Sequence, residues 1–142
     1  MSPGTVIIST VGEVSDVRKC IEPVLVKDCN TRILHIDLSF DSFKLGGSSF
    51  AQSIKQLGDE APSVMDVDYF KDGFSAIQQL INEGLILSGH DISAGGMVTA
   101  LLELCFANKD YGLKLDLSAF EEDDLVKLLF SENPGVIIQV RD

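Results

Sequence analysis

Apolar residues recur along the chain in two patterns, every second residue in short runs and every third or fourth residue in longer ones. This is typical of strands interleaved with helices. A short helix or two turns is expected over 15–23, with Ser15 as the N-cap. In the helix predicted at 66–84 one apolar stripe is formed by Phe70, Phe74, Ile77, Leu80 and Ile81. Strands are predicted at 5–10, 32–38, 85–89, 112–117 and 135–140, and the other helices at 48–58, 95–107 and 121–130.

The order of these elements predicts an α/β (α+β) domain in which helices cover a mixed sheet in two or three layers. The strand at 85–89 is short and wholly apolar, so it must be covered on both faces. The chain contains no internal repeat and no long linker. We therefore expect residues 1–142 to form a single domain.

The charge of the chain narrows the classes of partner. Acidic residues number 22 and basic residues 11, which gives a formal net charge of −11. A nucleic acid or an anionic membrane would be repelled by most of such a surface. No apolar run approaches the roughly 20 residues of a membrane-spanning helix, and the first residues lack a signal-peptide pattern. A cytoplasmic protein is therefore expected. Acidic residues 121–124 are interpreted as a solvated first helical turn rather than an ion site.

The three cysteines offer little for metal binding. Cys20, Cys29 and Cys105 are widely separated, and His35 and His90 are the only imidazoles in the sequence. Zinc sites usually combine closely spaced cysteines and histidines. We therefore interpret the cysteines as free structural thiols and assign no metal site.

A first glycine-bearing loop lies in the stretch KLGGSSFAQ. Gly46 and Gly47 precede a predicted helix, and Ser48 and Ser49 follow them. Backbone N–H groups at a helix N-terminus can bind a phosphate, and the serine hydroxyls can assist. Glycine pairs also serve tight turns and close packing. Both interpretations remain open from the residues alone.

A second loop, GHDISAGG, has the same order of strand, polar turn, glycines and helix. His90 can act as an acid, a base or a hydrogen-bond donor, and Asp91 can orient it or bind a metal. The alternative is structural: Asp91 or Ser93 caps the helix, and His90 bonds to a backbone carbonyl. Gly95 and Gly96 begin the helix; Gly96 is expected to allow close approach of the helix to its strand or a positive φ angle.

Three separated stretches resemble one family. They are KLGGSSFAQSIKQLGDEAP, HDISAGGMVTALLELCFANKDYGLKLDL and LFSENPGVIIQV, and they follow one another as in the phosphoribosylformylglycinamidine synthase family. The second stretch also resembles the wider superfamily of aminoimidazole ribonucleotide synthetase, selenophosphate synthetase and thiamine-phosphate kinase. The resemblance implies the fold of the C-terminal domain of aminoimidazole ribonucleotide synthetase. It also implies an excised, C-terminally truncated piece of a larger multidomain enzyme.

The resemblance further implies an activity for the whole enzyme, which is the ATP- and glutamine-dependent conversion of formylglycinamide ribonucleotide to formylglycinamidine ribonucleotide. ATP and magnesium are the implied cofactors, held largely by companion synthase domains, and a separate glutaminase domain supplies ammonia. The implied contacts to substrate or nucleotide phosphate are Gly46, Gly47, Ser48, His90, Asp91, Ser93, Gly95 and Gly96. Ala94 departs from the family, which usually has an aspartate there, so no role of that carboxylate is carried over.

A non-catalytic scaffold or interaction domain is the alternative, as is the C-terminal domain of another ATP-dependent member of the superfamily. The position of the loops around Gly47 and Gly96 separates the first two interpretations. Loops that gather at one rim of the sheet favour a domain that contributes phosphate contacts to an enzyme. Loops at opposite ends favour a packing role for the glycines alone.

The composition predicts weak self-association. Mean hydropathy is +0.21, which implies apolar surface that neighbouring domains would cover. The terminal strand 135–140, or the strand beside it, is expected to be an unprotected edge that pairs with a second copy. The net charge opposes association, so dimer formation should increase with salt. Sedimentation velocity at two salt concentrations tests this, and a monomer at high concentration in both would contradict it.

Overall fold

The computed structural model describes residues 7–108, 110 and 112–142. A 3-10 turn at Val17–Lys19 comes first, and the first strand and two helices follow it. The bounds are β1 Thr31–Asp37, α1 Ser49–Ser53, α2 Val67–Asn82, β2 Ile86–Asp91, α3 Gly96–Phe106, α4 Leu125–Phe130 and β3 Gly135–Arg141.

The described strands form one sheet in the order β1-β3-β2. His35 in β1 and His90 in β2 both pair with Ile137 in β3, one on each side, and both pairings are antiparallel. The α/β (α+β) class is confirmed. The expected mixed sheet is corrected, because β3 enters between two strands that both run opposite to it.

The sheet is covered by helices on both faces, since side chains alternate along each strand. Val136, Ile138 and Val140 of β3 pack with the apolar side of α2, and Ile137 packs with α3 and α4 on the other face. The predicted stripe on α2 is confirmed for Phe70, Ile77, Leu80 and Ile81. Phe74 is the exception, with half of its surface exposed.

Helix α2 is delimited by local signals. The Asp66 side chain accepts a hydrogen bond from the Tyr69 N–H at its beginning, and Gly84 adopts a φ of 72° just past its end. Gly73 allows close packing, because a β-carbon there would lie 2.7 Å from Leu38 Cδ2. The predicted helix 66–84 is therefore confirmed within two residues.

Two predicted strands are wrong where the structure describes them. Residues 7–10 and 112–117 belong to no strand. Ile7 and Ile8 are 87% and 81% exposed, so this β-branched run has no partner strand and no covering layer. Thr5 and Val6 of the same prediction lie outside the described residues. A propensity for strand is expressed only where a neighbour accepts the backbone hydrogen bonds.

One predicted cap and two predicted helix bounds are also corrected. Asp16, and not Ser15, caps the 3-10 turn by accepting from Arg18 N–H. Helix α1 ends at Ser53 and not near Gly58, and Lys55 beyond it has a left-handed φ of 58°. Helix α4 begins only at Leu125 because Asp124 is its N-cap, so residues 121–123 precede its first turn.

The terminal strand is not the expected edge. Strand β3 lies in the middle of the sheet and pairs on both sides, so the edges among the described strands are β1 and β2. Its Gln139 is buried and fully engaged: Oε1 accepts from Val26 N–H and the Ser88 hydroxyl, while Nε2 donates to Val26 O and Thr31 Oγ1. Of the two expected edges, only the strand beside β3 remains, and edge pairing with a second copy stays a prediction for β1 or β2.

His35 predicts a pH dependence of stability. Its ring lies 5.6 Å from the Phe120 ring and 6.5 Å from the Phe43 ring. Burial lowers the pKa of His35 below 6.5, and the Asp37 carboxylate opposes this in part. The unfolded chain therefore binds a proton more readily, so His35 favours unfolding as the pH falls below 6.5. In His35→Gln, the free energy of unfolding measured in urea should fall less steeply between pH 7.5 and 5.5. An unchanged slope would contradict this.

Candidate functional site

Four successive backbone N–H groups of the first glycine loop, from Gly46 to Ser49, donate to acceptors within the chain. Gly46 N–H donates to Glu60 O and Gly47 N–H to Leu57 O, both at 2.8 Å. Ser48 N–H donates to Leu45 O at 3.1 Å. Ser49 N–H donates to the Glu132 side chain at 2.8 Å. An anionic ligand would have to displace one of these acceptors to bind any of the four N–H groups.

Gly46 and Gly47 are glycines for different physical reasons. A β-carbon at Gly46 would lie 2.3 Å from the carbonyl oxygen of Glu60, which only a glycine avoids. Gly47 has an open environment and a φ of 74°, which favours glycine on conformational grounds. Both residues therefore allow the tight course of the chain into α1.

Ser48 serves as a cap. Only 1% of the residue is exposed, its hydroxyl donates to Leu45 O at 2.7 Å, and its oxygen accepts from Ala51 N–H at 3.2 Å. The side chain that the sequence offers as a phosphate donor is thus engaged at the beginning of α1.

The second loop begins α3 without a side-chain cap. Gly95 is the N-cap residue with a φ of 92°, and neither Asp91 nor Ser93 caps the helix, which corrects the structural alternative. Gly96 has a φ of 75°, and a β-carbon there would lie 2.7 Å from the backbone of Phe130. The positive φ expected at Gly96 is confirmed, whereas the close approach is to the end of α4 and not to a strand.

The His90 ring lies between two oxygen atoms, and a neutral imidazole donates to one of them. Its Nδ1 lies 2.7 Å from the carbonyl oxygen of Asp91, and its Nε2 lies 2.9 Å from a carboxylate oxygen of Glu103 on α3. The expectation that His90 bonds to a backbone carbonyl is confirmed. Because Glu103 is the carboxylate nearest to Nε2, the ring joins the end of β2 to α3.

Asp91 and Ser93 face solvent, whereas His90 and Ser48, the other two candidate residues with polar side chains, are half-buried and buried. The Asp91 side chain is 73% exposed, and Ser93 is exposed as well. Ala94 beside them is also exposed, so the carboxylate expected from the resemblance would have stood on the same surface. This rim therefore presents one carboxylate and one hydroxyl that a ligand can contact.

Glu132 brings the two loops together. One of its oxygens, Oε1, accepts from Ser49 N–H and from Gly95 N–H, both at 2.8 Å. Partial burial disfavours the charged form, but hydrogen bonds from Gly95 and Ser49 outweigh it and hold the pKa below 4.5. The carboxylate is therefore ionised at neutral pH and occupies the anion position that both loops offer.

Ser131 and Asn133 fix the segment on either side of Glu132. Both residues are buried, and they hydrogen-bond to each other. The Ser131 hydroxyl donates to Lys44 O at 2.8 Å. The Asn133 amide donates to the Ser39 hydroxyl at 3.0 Å and to Ser42 O at 3.1 Å. The backbone of 131–133 is therefore bound to the segment that leads into the first glycine loop.

No sequence motif singles out Glu132, although the residue lies in the stretch LFSENPGVIIQV. The only signal was an acidic residue in a polar turn between an apolar helix and a strand. That signal is weak, because most acidic residues in such turns are solvated. The partners of Glu132 lie 37 and 83 residues away in sequence, so no local pattern indicates them.

Two further observations describe the charged groups around the loops. Lys44 lies close to the first loop, but its Nζ bonds to Asp41 at 2.7 Å, and this hydrogen bond lowers the pKa of Asp41. Across residues 7–108, 110 and 112–142 no three His, Cys, Asp or Glu side chains cluster as metal ligands. In the same part of the chain, no helix is both long and apolar enough to cross a membrane.

Residues 38–142 match the model of the family described as AIR synthase related protein, C-terminal domain. The chain belongs to this family. It is also 39% identical over 140 residues to a protein of Arabidopsis thaliana named probable phosphoribosylformylglycinamidine synthase, chloroplastic/mitochondrial. The alignment covers 98% of this chain and 10% of that relative, so the chain spans about a tenth of its length.

Gly96→Ala should destabilise the fold more than a glycine substitution at the same φ in open space. Gly84 is the matched control, because its φ is 72° and nothing lies within 4 Å of an added β-carbon. The left-handed conformation alone costs about 1–2 kcal/mol. The contact with Phe130 should add about 1–3 kcal/mol at Gly96. Urea unfolding of the two variants measures the difference, and equal losses would contradict the packing role.

Proposed function

We propose that this chain is one domain of a phosphoribosylformylglycinamidine synthase, an amidine-forming ligase of purine biosynthesis. The complete enzyme would convert formylglycinamide ribonucleotide, ATP and glutamine-derived ammonia to formylglycinamidine ribonucleotide. Membership of the AIR synthase related family and 39% identity to a relative of that name support the proposal. ATP would activate the amide oxygen as a phosphate ester, which ammonia then displaces.

The observation that carries this proposal is the meeting of the two glycine loops at Glu132. Loops at opposite ends of the sheet would favour separate packing roles. A shared location is what a ligand site built from both loops requires. The convergence therefore supports the enzyme-domain interpretation over a scaffold whose glycines serve separate turns.

The residues at the rim fit only part of a magnesium-nucleotide site. Magnesium bound to ATP would neutralise the charge of its phosphates, and it usually takes one or two carboxylates together with phosphate oxygens and waters. Among the eight candidate residues, Asp91 offers the one carboxylate and Ser93 the one exposed hydroxyl. We assign the ligand contact to these two residues and the shape of the loops to the glycines and Ser48.

Companion domains would supply the remaining groups. The proposed partners are further synthase domains and a glutaminase domain that releases ammonia. Cys20 and Cys29 are exposed and Cys105 is half-buried. Because a glutaminase nucleophile needs an activating base, and His90 is bonded to Asp91 O and Glu103, we place that nucleophile outside this chain. A cytoplasmic location, weak homodimerisation and the absence of nucleic-acid or membrane partners stay predictions from composition.

A non-catalytic scaffold domain is the second candidate. It is favoured by the internal bonding of the first loop, in which four successive N–H groups already have acceptors. In that case the glycines serve the fold, and Asp91 and Ser93 contact a neighbouring domain. The two candidates predict different KM values for ATP when Asp91 is altered.

The full-length protein should form formylglycinamidine ribonucleotide from ammonia and ATP, and the 142-residue chain alone should not. The reason is that catalysis needs preorganised groups from several domains. Asp91→Asn in the full-length protein should raise KM for ATP about tenfold, because the side chain would lose its charged contact to the magnesium ion bound to ATP. Asp123→Asn, which alters an exposed carboxylate before α4, is the control.

Activity of the isolated chain would contradict the proposed division of labour. A full-length protein without the activity would contradict the proposed function itself. An active enzyme in which Asp91→Asn leaves KM unchanged would favour the scaffold interpretation.

A further inference from the structure

Glu132 stands where three parts of the chain meet. Its carboxylate touches the beginning of α1 through Ser49 and the beginning of α3 through Gly95. Its own backbone belongs to the turn between α4 and β3. Among the residues described, both contacts use the same oxygen, so the two loops cannot move apart without breaking at least one bond.

The base of the Glu132 side chain is itself fixed. Ser131 and Asn133 are buried and bond to the segment 39–44, which leads into the first glycine loop. A carboxylate on such a base is a rigid connection rather than a mobile side chain that a ligand readily displaces. Replacing it at the two N–H groups would also expose a partly buried charge without its hydrogen-bond donors.

We propose that Glu132 is a positioning residue, which sets the spacing between the two glycine loops and thereby holds Asp91 and Ser93 in place. This inference rests on the function proposed above. It deepens that function, because it says how the chain binds a nucleotide phosphate. Ser93 would contact the phosphate and Asp91 the magnesium ion that accompanies it, while the backbone N–H groups of Ser49 and Gly95 keep Glu132 as their internal anion.

Hydrogen bonds connect Glu132 to the turn that carries Ser93. Gly95 follows Ser93 by two residues, and Gly96 N–H donates to Ser93 O at 3.0 Å. The turn that carries Ser93 is therefore hydrogen-bonded to Gly96 at the beginning of α3. The neighbouring residue Gly95 connects the same turn to Glu132. Loss of the Glu132 carboxylate frees this turn to change its position relative to α1 without removing any residue of the core.

Hydrogen exchange of the 142-residue chain tests the connection directly. In Glu132→Ala, the amides of Ser49 and Gly95 should both exchange at least about tenfold faster, because each loses its acceptor. The Gly46 amide is the internal control, since its acceptor is Glu60 O and should be unaffected. Glu132→Gln keeps an acceptor oxygen without the charge and should give an intermediate rate at both amides.

Kinetics of the full-length protein test the positioning role. Glu132→Ala should raise KM for ATP about tenfold and change kcat by less than about twofold, because binding is weakened equally in ground and transition states. Glu132→Gln should restore part of the loss. Glu121→Gln, at an exposed carboxylate in the segment before α4, is the matched control and should behave as the parent protein.

The possible outcomes separate this inference from the proposed function. An unchanged KM in Glu132→Ala, together with a raised KM in Asp91→Asn, would overturn the role of Glu132 and leave the proposed function standing. Unchanged exchange at Ser49 and Gly95 would also overturn it. If the full-length protein lacks the activity, the proposed function fails, and the positioning role fails with it. Faster exchange of both amides in Glu132→Ala would still establish that Glu132 connects the two loops. If Glu132→Ala does not fold, the Gln variant provides both measurements.

Discussion

The convergence of two backbone N–H groups on one carboxylate oxygen organises this end of the molecule. Ser49 and Gly95 lie at the beginnings of two helices, and each helix leaves N–H groups without partners in its first turn. Glu132 satisfies one such group in each. Gly95 has no side chain to act as a cap, and its own N–H finds its acceptor elsewhere in the chain. The fold supplies that acceptor from the turn before its central strand.

This internal anion changes the meaning of the glycine loops. A glycine pair before a helix is commonly associated with phosphate binding, because its N–H groups and the helix dipole attract negative charge. Here Glu132 carries that negative charge. The glycines then have steric roles, such as the close approach of Gly46 to Glu60 and of Gly96 to Phe130. Among the candidate residues with polar side chains, Asp91 and Ser93 are the exposed pair that a ligand can contact.

The central strand connects this end to the rest of the core. Strand β3 follows directly on the segment that carries Glu132, and its alternating side chains enter the apolar clusters on both faces of the sheet. Its pairing with both β1 and β2 fixes where each edge strand ends, and the second glycine loop begins where β2 ends. A displacement of β3 would therefore move the Glu132 turn and the loop together.

The sequence by itself determined the elements whose signals are local. Helix α2 has its cap at Asp66, its apolar stripe and its closing Gly84 within 19 residues of one another, and β1, β2, α3 and β3 follow equally local periods. The predicted strands at 7–10 and 112–117 are wrong where described, because strand formation needs a partner that composition does not reveal. Only the tertiary structure decided that β3 is central, that Ser48 is a buried cap and that Glu132 joins the loops. These outcomes depend on contacts such as the one between Glu132 and Ser49, 83 residues apart, which no short-range pattern encodes.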